Sequence, residues 1–155
     1  MVKIQRILFP TDFSESSKAA LEYACGLAEQ NGSELHVLHV VEEMAYLLPS
    51  TEFAVLPYYV DELKLEEQAK KSLNAVVDPE WAKGRTVYRT VRTGSPFLQV
   101  LLYAKENKID LIVMSTHGRT GLSHLLMGSV AENVVRKATC PVLTVHPSDH
   151  AFVMP

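Results

Sequence analysis

The residues from Ile109 to Val145, IDLIVMSTHGRTGLSHLLMGSVAENVVRKATCPVLTV, are of types that can bind an anion. Leu111 to Met114 is an unbroken apolar run, as expected of a strand covered on both faces. The chain then turns small and polar, with Ser115, Thr116, His117, Gly118, Arg119, Thr120 and Gly121, and reaches Gly128 after LSHLLM. Ser129-Val130-Ala131-Glu132 has the spacing of a capping box, which predicts a helix opening on Ser129. A helix start leaves backbone N–H groups unpaired at the positive end of a dipole, and glycines before it let a phosphate come close to the backbone. Taken singly, Gly118 and Gly121 fit ordinary turns and Ser129 an ordinary cap. Strand, glycine loop, capped helix and strand in succession point to a phosphate.

A second candidate lies a hundred residues away. Pro10-Thr11-Asp12 ends the first apolar run, and Asp12 has two compatible readings. It caps the following helix, with Glu15 or with Ser14 doing the capping itself, or it faces a ligand, accepting hydrogen bonds from a ribose or holding a metal ion beside phosphates. Arg119 either pairs with phosphate oxygens or is a solvated loop residue. Val40 and Met114 are of core type, and at strand ends they also suit the flanks of an adenine ring.

Other chemistries lack their residues. There is no GxxxxGK[ST] and so no P-loop lysine, and no GxGxxG. GLSHL has Leu125 where a nucleophile elbow needs its second glycine. His36 and His39 are three apart in a strand and point to opposite faces, so they cannot share a metal from there. His117 and His124 have no Cys or His at ligand spacing, and His146 and His150 fall near the carboxyl end. No metal site is expected from side chains alone.

The elements that must position these residues follow from periodicity. Ile4–Phe9 reads as a strand; Ala20, Ala24, Leu27 and Ala28 stripe a helix that Asn31-Gly32 ends; Leu35–Val41 is a second strand. Strand, helix, strand within about forty residues is the βαβ unit of a parallel sheet. The stretch 42–59, with Pro49 and Pro57, is the least regular and reads as a surface excursion that covers a site or packs on its own domain. From Val60 a helix carries Leu65, Ala69, Leu73 and Val76, ending before Pro79. Thr86–Arg92 alternates like a half-exposed strand near a sheet edge. Gly94-Ser95-Pro96 opens a helix buried through Phe97, Leu98, Leu101, Leu102 and Ala104, and Pro141 starts the last strand. Five strands alternating with four helices predict an α/β doubly wound parallel sheet with helices on both faces.

The totals bound the class. At 155 residues, one domain over 1–147 and a tail over 148–155 are expected. A net charge of −3 offers no broad polyanion-binding surface, so nucleic acid is disfavoured as a ligand. Cys25 and Cys140 lack CxxC spacing and fit two free thiols in a reducing cytosol. MVKIQRILFP is too short an apolar run for a signal peptide, and no run reaches the roughly 18 apolar residues of a membrane span. A cytoplasmic protein without membrane contact is expected.

The glycine stretch resembles the signature of the universal stress protein family, whose nucleotide-binding branch carries Gly, two residues, Gly, nine residues, then Gly-Ser or Gly-Thr. Gly118, the nine residues RTGLSHLLM and Gly128-Ser129 match, while Ser115 stands at the first glycine. Serine is small and donates a hydrogen bond, so it reads as a tolerated variant. The similarity extends to ILFPTDFS and covers nearly the whole chain. It implies a Rossmann-like sheet of strand order 3-2-1-4-5, with the first and fourth strands adjacent and Pro10-Thr11-Asp12 opposite Met114-Ser115. It further implies ATP, or AMP or ADP, held by backbone donors of Gly118, Gly128, Ser129 and Val130, with Asp12 and the strand ends at the nucleoside and Mg²⁺ or Mn²⁺ accompanying the phosphates. The family's role is stress survival, as a sensor or adaptor for a protein partner, and it pairs the last strand with its twin. A homodimer through Val142–Val145 is therefore expected. Little or no hydrolysis is expected without a lysine clamp or a positioned base. The alternatives are a dimeric interaction protein of the same fold that binds no nucleotide, which Ser115 favours, and a slow ATPase.

Overall fold

Three short apolar runs become the middle of a sheet. In the computed structural model, which describes residues 3–42, 62–116 and 127–146, β1 (Arg6–Pro10) lies between β2 (Glu34–Val41) and β4 (Leu111–Ser115). β3 (Val87–Thr93) and β5 (Val142–Val145) flank them, giving five parallel strands in the order β3-β2-β1-β4-β5. This is the order that the family resemblance implied. Ile7, Leu8 and Phe9 are wholly buried because β1 is hydrogen-bonded on both edges and covered on both faces. The Asp110 carboxylate accepts from the backbone N–H groups of Gln5 and Arg6 at 2.8 and 2.9 Å, which stitches the start of β4 to the start of β1.

Alternation along the strands divides the core into two layers. Ile7, Phe9, Leu35, Val37 and Val113 face one side, with α1 (Glu15–Asn31) and α2 (Glu62–Val76) over them. Leu8, Leu38, Ile112 and Met114 face the other, under α4 (Pro96–Glu106) and α5 (Ser129–Lys137). His36 and His39 part accordingly. His36 Nδ1 lies 2.9 Å from the Tyr103 hydroxyl under α4, and burial holds its pKa below the ordinary value. His39 lies on the α1 side, stacked on Phe13.

The stripe Ala20, Ala24 and Ala28 is buried at one-turn spacing, so α1 lies close against β1 and β4. Ser14 caps it and Gly32, in the left-handed region at φ 64°, ends it. Three elements differ from expectation. A one-turn helix, α3 (Pro79–Ala82), follows α2, capped by Asp78 and carrying proline at its first position. On α4 the buried residues are Val100, Tyr103 and Ala104, while Leu98 and Leu102 are 45% and 39% exposed. Two residues from Val100 is about 200° around a helix, which turns both leucines outward. The cap of α5 is Gly128, not Ser129, and Glu132 pairs with Arg136 at 2.9 Å instead of closing a capping box. The stretch 43–61 and the tail 147–155 lie outside the described residues.

The alanine stripe makes α1 intolerant of volume. Ala24→Leu is expected to lower stability by about 1–3 kcal/mol through overpacking, whereas Tyr23→Ala, at a position 57% exposed, should stay within about 0.5 kcal/mol. Urea unfolding of both variants checks the pair; equal effects would mean that the helix does not rest on this face.

Candidate functional site

At the carboxyl ends of β1, β2 and β4 the sheet opens into a crevice of about 750 Å³, within the roughly 300–1,000 Å³ usual for small-molecule sites. Here the crossovers diverge, α1 and α2 to one side and α4 and α5 to the other, which is where open parallel sheets bind ligands.

The β1 side is built from one hydroxyl relay. Ser17 Oγ donates to the Ser14 carbonyl at 2.9 Å, so the Thr11 hydroxyl donates to Ser17 Oγ, also at 2.9 Å, and accepts from Phe13 N–H at 3.0 Å. Thr11 and Ser17 are both buried. This relay closes a turn in which Phe13 takes φ 64°, a left-handed conformation uncommon for a non-glycine residue. Asp12 sits at the apex. Its Oδ1 accepts from the Ser14 N–H at 3.0 Å and the Ser14 hydroxyl at 2.6 Å, while Ser14 Oγ accepts from Ser17 N–H at 3.3 Å. Ser14 is thus the cap and Asp12 its brace, which decides between the capping residues that the sequence offered.

β2 outruns β1 at this end. Thr11 N–H donates to Leu38 O at 2.9 Å, so the even residues of β2 turn their backbone groups toward β1. Val40, two residues on, directs its N–H and C=O the same way, past the end of β1. Thr11 O takes its hydrogen bond from His39 Nδ1 at 2.8 Å.

The β4 side is organised by Thr116. Its N–H donates to Val145 O at 3.1 Å, its hydroxyl meets His146 Nδ1 at 3.0 Å, and its carbonyl accepts from Gly128 N–H at 2.7 Å. The last bond seats the start of α5 beside the end of β4. It also means that Gly128 N–H is already engaged, so the donors that α5 can offer are those of its first turn, Ser129, Val130 and Ala131. Gly128 adopts φ −60° and ψ 146°, open to any residue.

Pro10, Thr11, Asp12, Val40, Met114, Ser115, Gly128, Ser129 and Val130 line this one crevice. Gly118 and Arg119 lie outside the described residues. Phe13, Ser17, His39 and Thr116 line it too, as do Gln68 and Ser72 of α2. The sequence alone does not single these out as ligand residues; Phe13, Ser17, His39 and Thr116 are placed by contacts with residues outside their own element. The charged residues among the described lining are Asp12 and Glu42, both acidic, so among the described residues the groups suited to an anion are the amides and dipole at the start of α5. Among the described residues no three His, Cys, Asp or Glu side chains converge as a metal site. Burial pushes the Cys25 thiol up to about 11 and raises that of Cys140 as well, which leaves both poor nucleophiles. Among the described residues no helix is long and apolar enough to cross a membrane.

Comparison with known proteins agrees with this architecture. The model of the universal stress protein family matches residues 3–146. Universal stress protein MJ0531 of Methanocaldococcus jannaschii is 35% identical over 144 residues, covering 91% of this chain and 81% of the relative. Universal stress protein MJ0577 of the same organism is 32% identical over 160 residues, covering 93% and 96%. The solved structure of MJ0577 superposes with a TM-score of 0.80, covering 96% of this chain and 100% of that one at 32% identity. A universal stress protein crystallised in complex with cAMP superposes at 0.69 with 27% identity, covering 95% and 100%.

The relay at Thr11 has a measurable cost of removal. Ser17→Ala leaves the buried Thr11 hydroxyl without its acceptor, and a loss of about 1–3 kcal/mol is expected in denaturant unfolding. A loss below about 0.5 kcal/mol, the range of a neutral surface change, would show that the hydroxyl finds another partner.

Proposed function

The chain belongs to the universal stress protein family, and on that premise we propose that it is an adenine-nucleotide-binding stress regulator whose ligand occupies the crevice at the ends of β1, β2 and β4. The observation that carries this reading is that one crevice holds two complementary ends. Val40 presents a donor and an acceptor side by side, the pattern that the adenine edge answers, with Met114 as an apolar flank. The first turn of α5 offers amides suited to phosphate. Asp12 lies on the crevice wall, where a ribose would pass. The cAMP complex of a relative 27% identical supports the adenine class.

ATP is the ligand proposed, with ADP and AMP as shorter forms of it. Ser129 and Val130 hold the phosphates with Gly128 as the close-approach position, and by the motif Gly118 and Arg119 complete the cradle. A Mg²⁺ or Mn²⁺ ion would arrive on the phosphates, and Asp12 and Glu42 are the carboxylates on the described crevice wall that could share it. No lysine stands among the described lining residues, so bound ATP is a signal read by a protein partner in the cytoplasm more than a fuel. The functional unit is a homodimer joined through antiparallel β5 strands. Supporting this, β5 is the edge of the sheet and Leu143 is 36% exposed.

Calorimetric titration with ATP tests the site. Gly128→Val adds bulk at a φ of −60° that valine accepts, so the protein should fold, as circular dichroism will show, and bind no ATP. Ser115→Gly should bind within about tenfold of wild type. A folded Gly128→Val that binds normally would move the phosphates elsewhere, and a wild type that binds nothing while Ser115→Gly binds would make this chain an interaction protein. For the dimer, Ile112 N–H donates to Pro141 O and Thr116 N–H to Val145 O, so residues 142 and 144 carry the outward-facing groups. Thr144→Pro therefore removes a donor from the open edge alone and should be monomeric by light scattering; a persistent dimer would place the interface elsewhere.

A further inference from the structure

We propose that His39 is a positioning residue that keeps the end of the β1–β2 seam open, and so keeps the Val40 N–H available to the nucleotide. The inference rests on the nucleotide reading above and adds to it the device that holds the base end of the site ready.

The seam between β1 and β2 is a regular parallel ladder from Arg6–Glu34 to Pro10–Leu38, and Thr11 N–H extends it by one more bond, to Leu38 O at 2.9 Å. The next step of that ladder would run from Val40 N–H to Thr11 O. In its place the His39 imidazole reaches across from the neighbouring position and donates from Nδ1 to Thr11 O at 2.8 Å. A carbonyl only accepts, so Nδ1 carries the proton, in the neutral ring as in the imidazolium. A side chain thus supplies the bond that the backbone would otherwise make.

Two further observations show that the ring is held for this purpose. Its face stacks on Phe13, with centroids 4.2 Å apart and planes 29° from parallel. Phe13 itself is at φ 64°, and the turn that strains it is closed by the Thr11 hydroxyl. His39 is 8% exposed and on the crevice wall, so it is fixed by these contacts and not by solvent. Thr11 is gripped at its N–H by Leu38, at its carbonyl by His39 and at its hydroxyl by Phe13 and Ser17. With the ring removed, Thr11 O would turn to the Val40 N–H, the seam would close by one residue, and the base would lose its donor.

The test compares His39→Leu with His39→Asn. The asparagine amide nitrogen hangs from Cγ as Nδ1 does and can make the same bond; leucine cannot. Amide hydrogen exchange of the ligand-free proteins should show the Val40 N–H fast in wild type and His39→Asn and slowed in His39→Leu. ATP affinity should fall by more than about tenfold in folded His39→Leu and by less than about threefold in His39→Asn. Val40 exchange unchanged in His39→Leu would overturn the inference and leave the nucleotide reading standing. Equal loss of affinity in both variants would overturn it too, since the bond would then not be what matters. A wild type that binds no ATP would instead overturn the nucleotide reading, with the exchange of Val40 alone then deciding whether His39 holds the seam open.

Discussion

Thr11 is held through three of its own groups at once, and each fixes a different part of the crevice. Its N–H is tied to Leu38 on the neighbouring strand, its carbonyl to the His39 ring, and its hydroxyl to both the Phe13 amide and Ser17 in the first helix. A residue just past the end of a strand ordinarily lets the chain relax into a loop. Here it transmits the rigidity of a strand whose middle is wholly buried into the turn that carries Asp12. Thr116 does the corresponding work across the sheet, binding the end of β5 through its amide and the start of α5 through its carbonyl. The two threonines make a rigid rim from two strand ends, and the crevice is the space between them.

Among the described residues the charge on the crevice wall is acidic, in a chain of net charge −3. An anion held there would be recognised by oriented dipoles without a cation in contact among the described residues. Amide donors are fixed by the backbone and need no reorganisation to meet a phosphate. They also supply less long-range attraction than a lysine cluster, so such a site selects by shape and hydrogen-bond direction more than by charge.

Much of this could be read in advance, for physical reasons that also mark the limits. The strands were legible because burial on both faces leaves an unbroken apolar run, as in Leu111–Met114, and α1 because alanines recur at one-turn spacing. The strand order came with the family resemblance and not from any periodicity. The misread cap shows how a local pattern fails: Ser129 and Glu132 have capping-box spacing, but the Gly128–Thr116 bond sets the helix one residue earlier. The short helix α3 was missed although Asp78-Pro79 is a helix-opening pair, because its single turn is too brief for periodicity. Leu98 and Leu102 are as apolar as their neighbours, but composition carries no helical angle, and theirs faces outward. The roles of Phe13, His39 and Thr116 had no local signature, since each depends on a contact that only the assembled sheet creates. Gly118 and Arg119 remain readings from the motif.

The strand at the centre of the sheet has a consequence for how the molecule is made. Of the five strands, β1 and β2 leave the ribosome before the others, with α1 between them, and they can pair at once. The other edge of β1 must wait for β4, whose stitching residue Asp110 is 105 residues from Gln5. Until then an apolar strand stands with one row of backbone groups unsatisfied. Contacts this distant in sequence close slowly, because chain entropy is lost before the pairing repays it. The nascent chain therefore carries an exposed seam until β4 is made, and a product that stops short of β4 would hold the Asp12 turn with nothing opposite it. Pairing of β4, not of β2, is the step that completes the crevice.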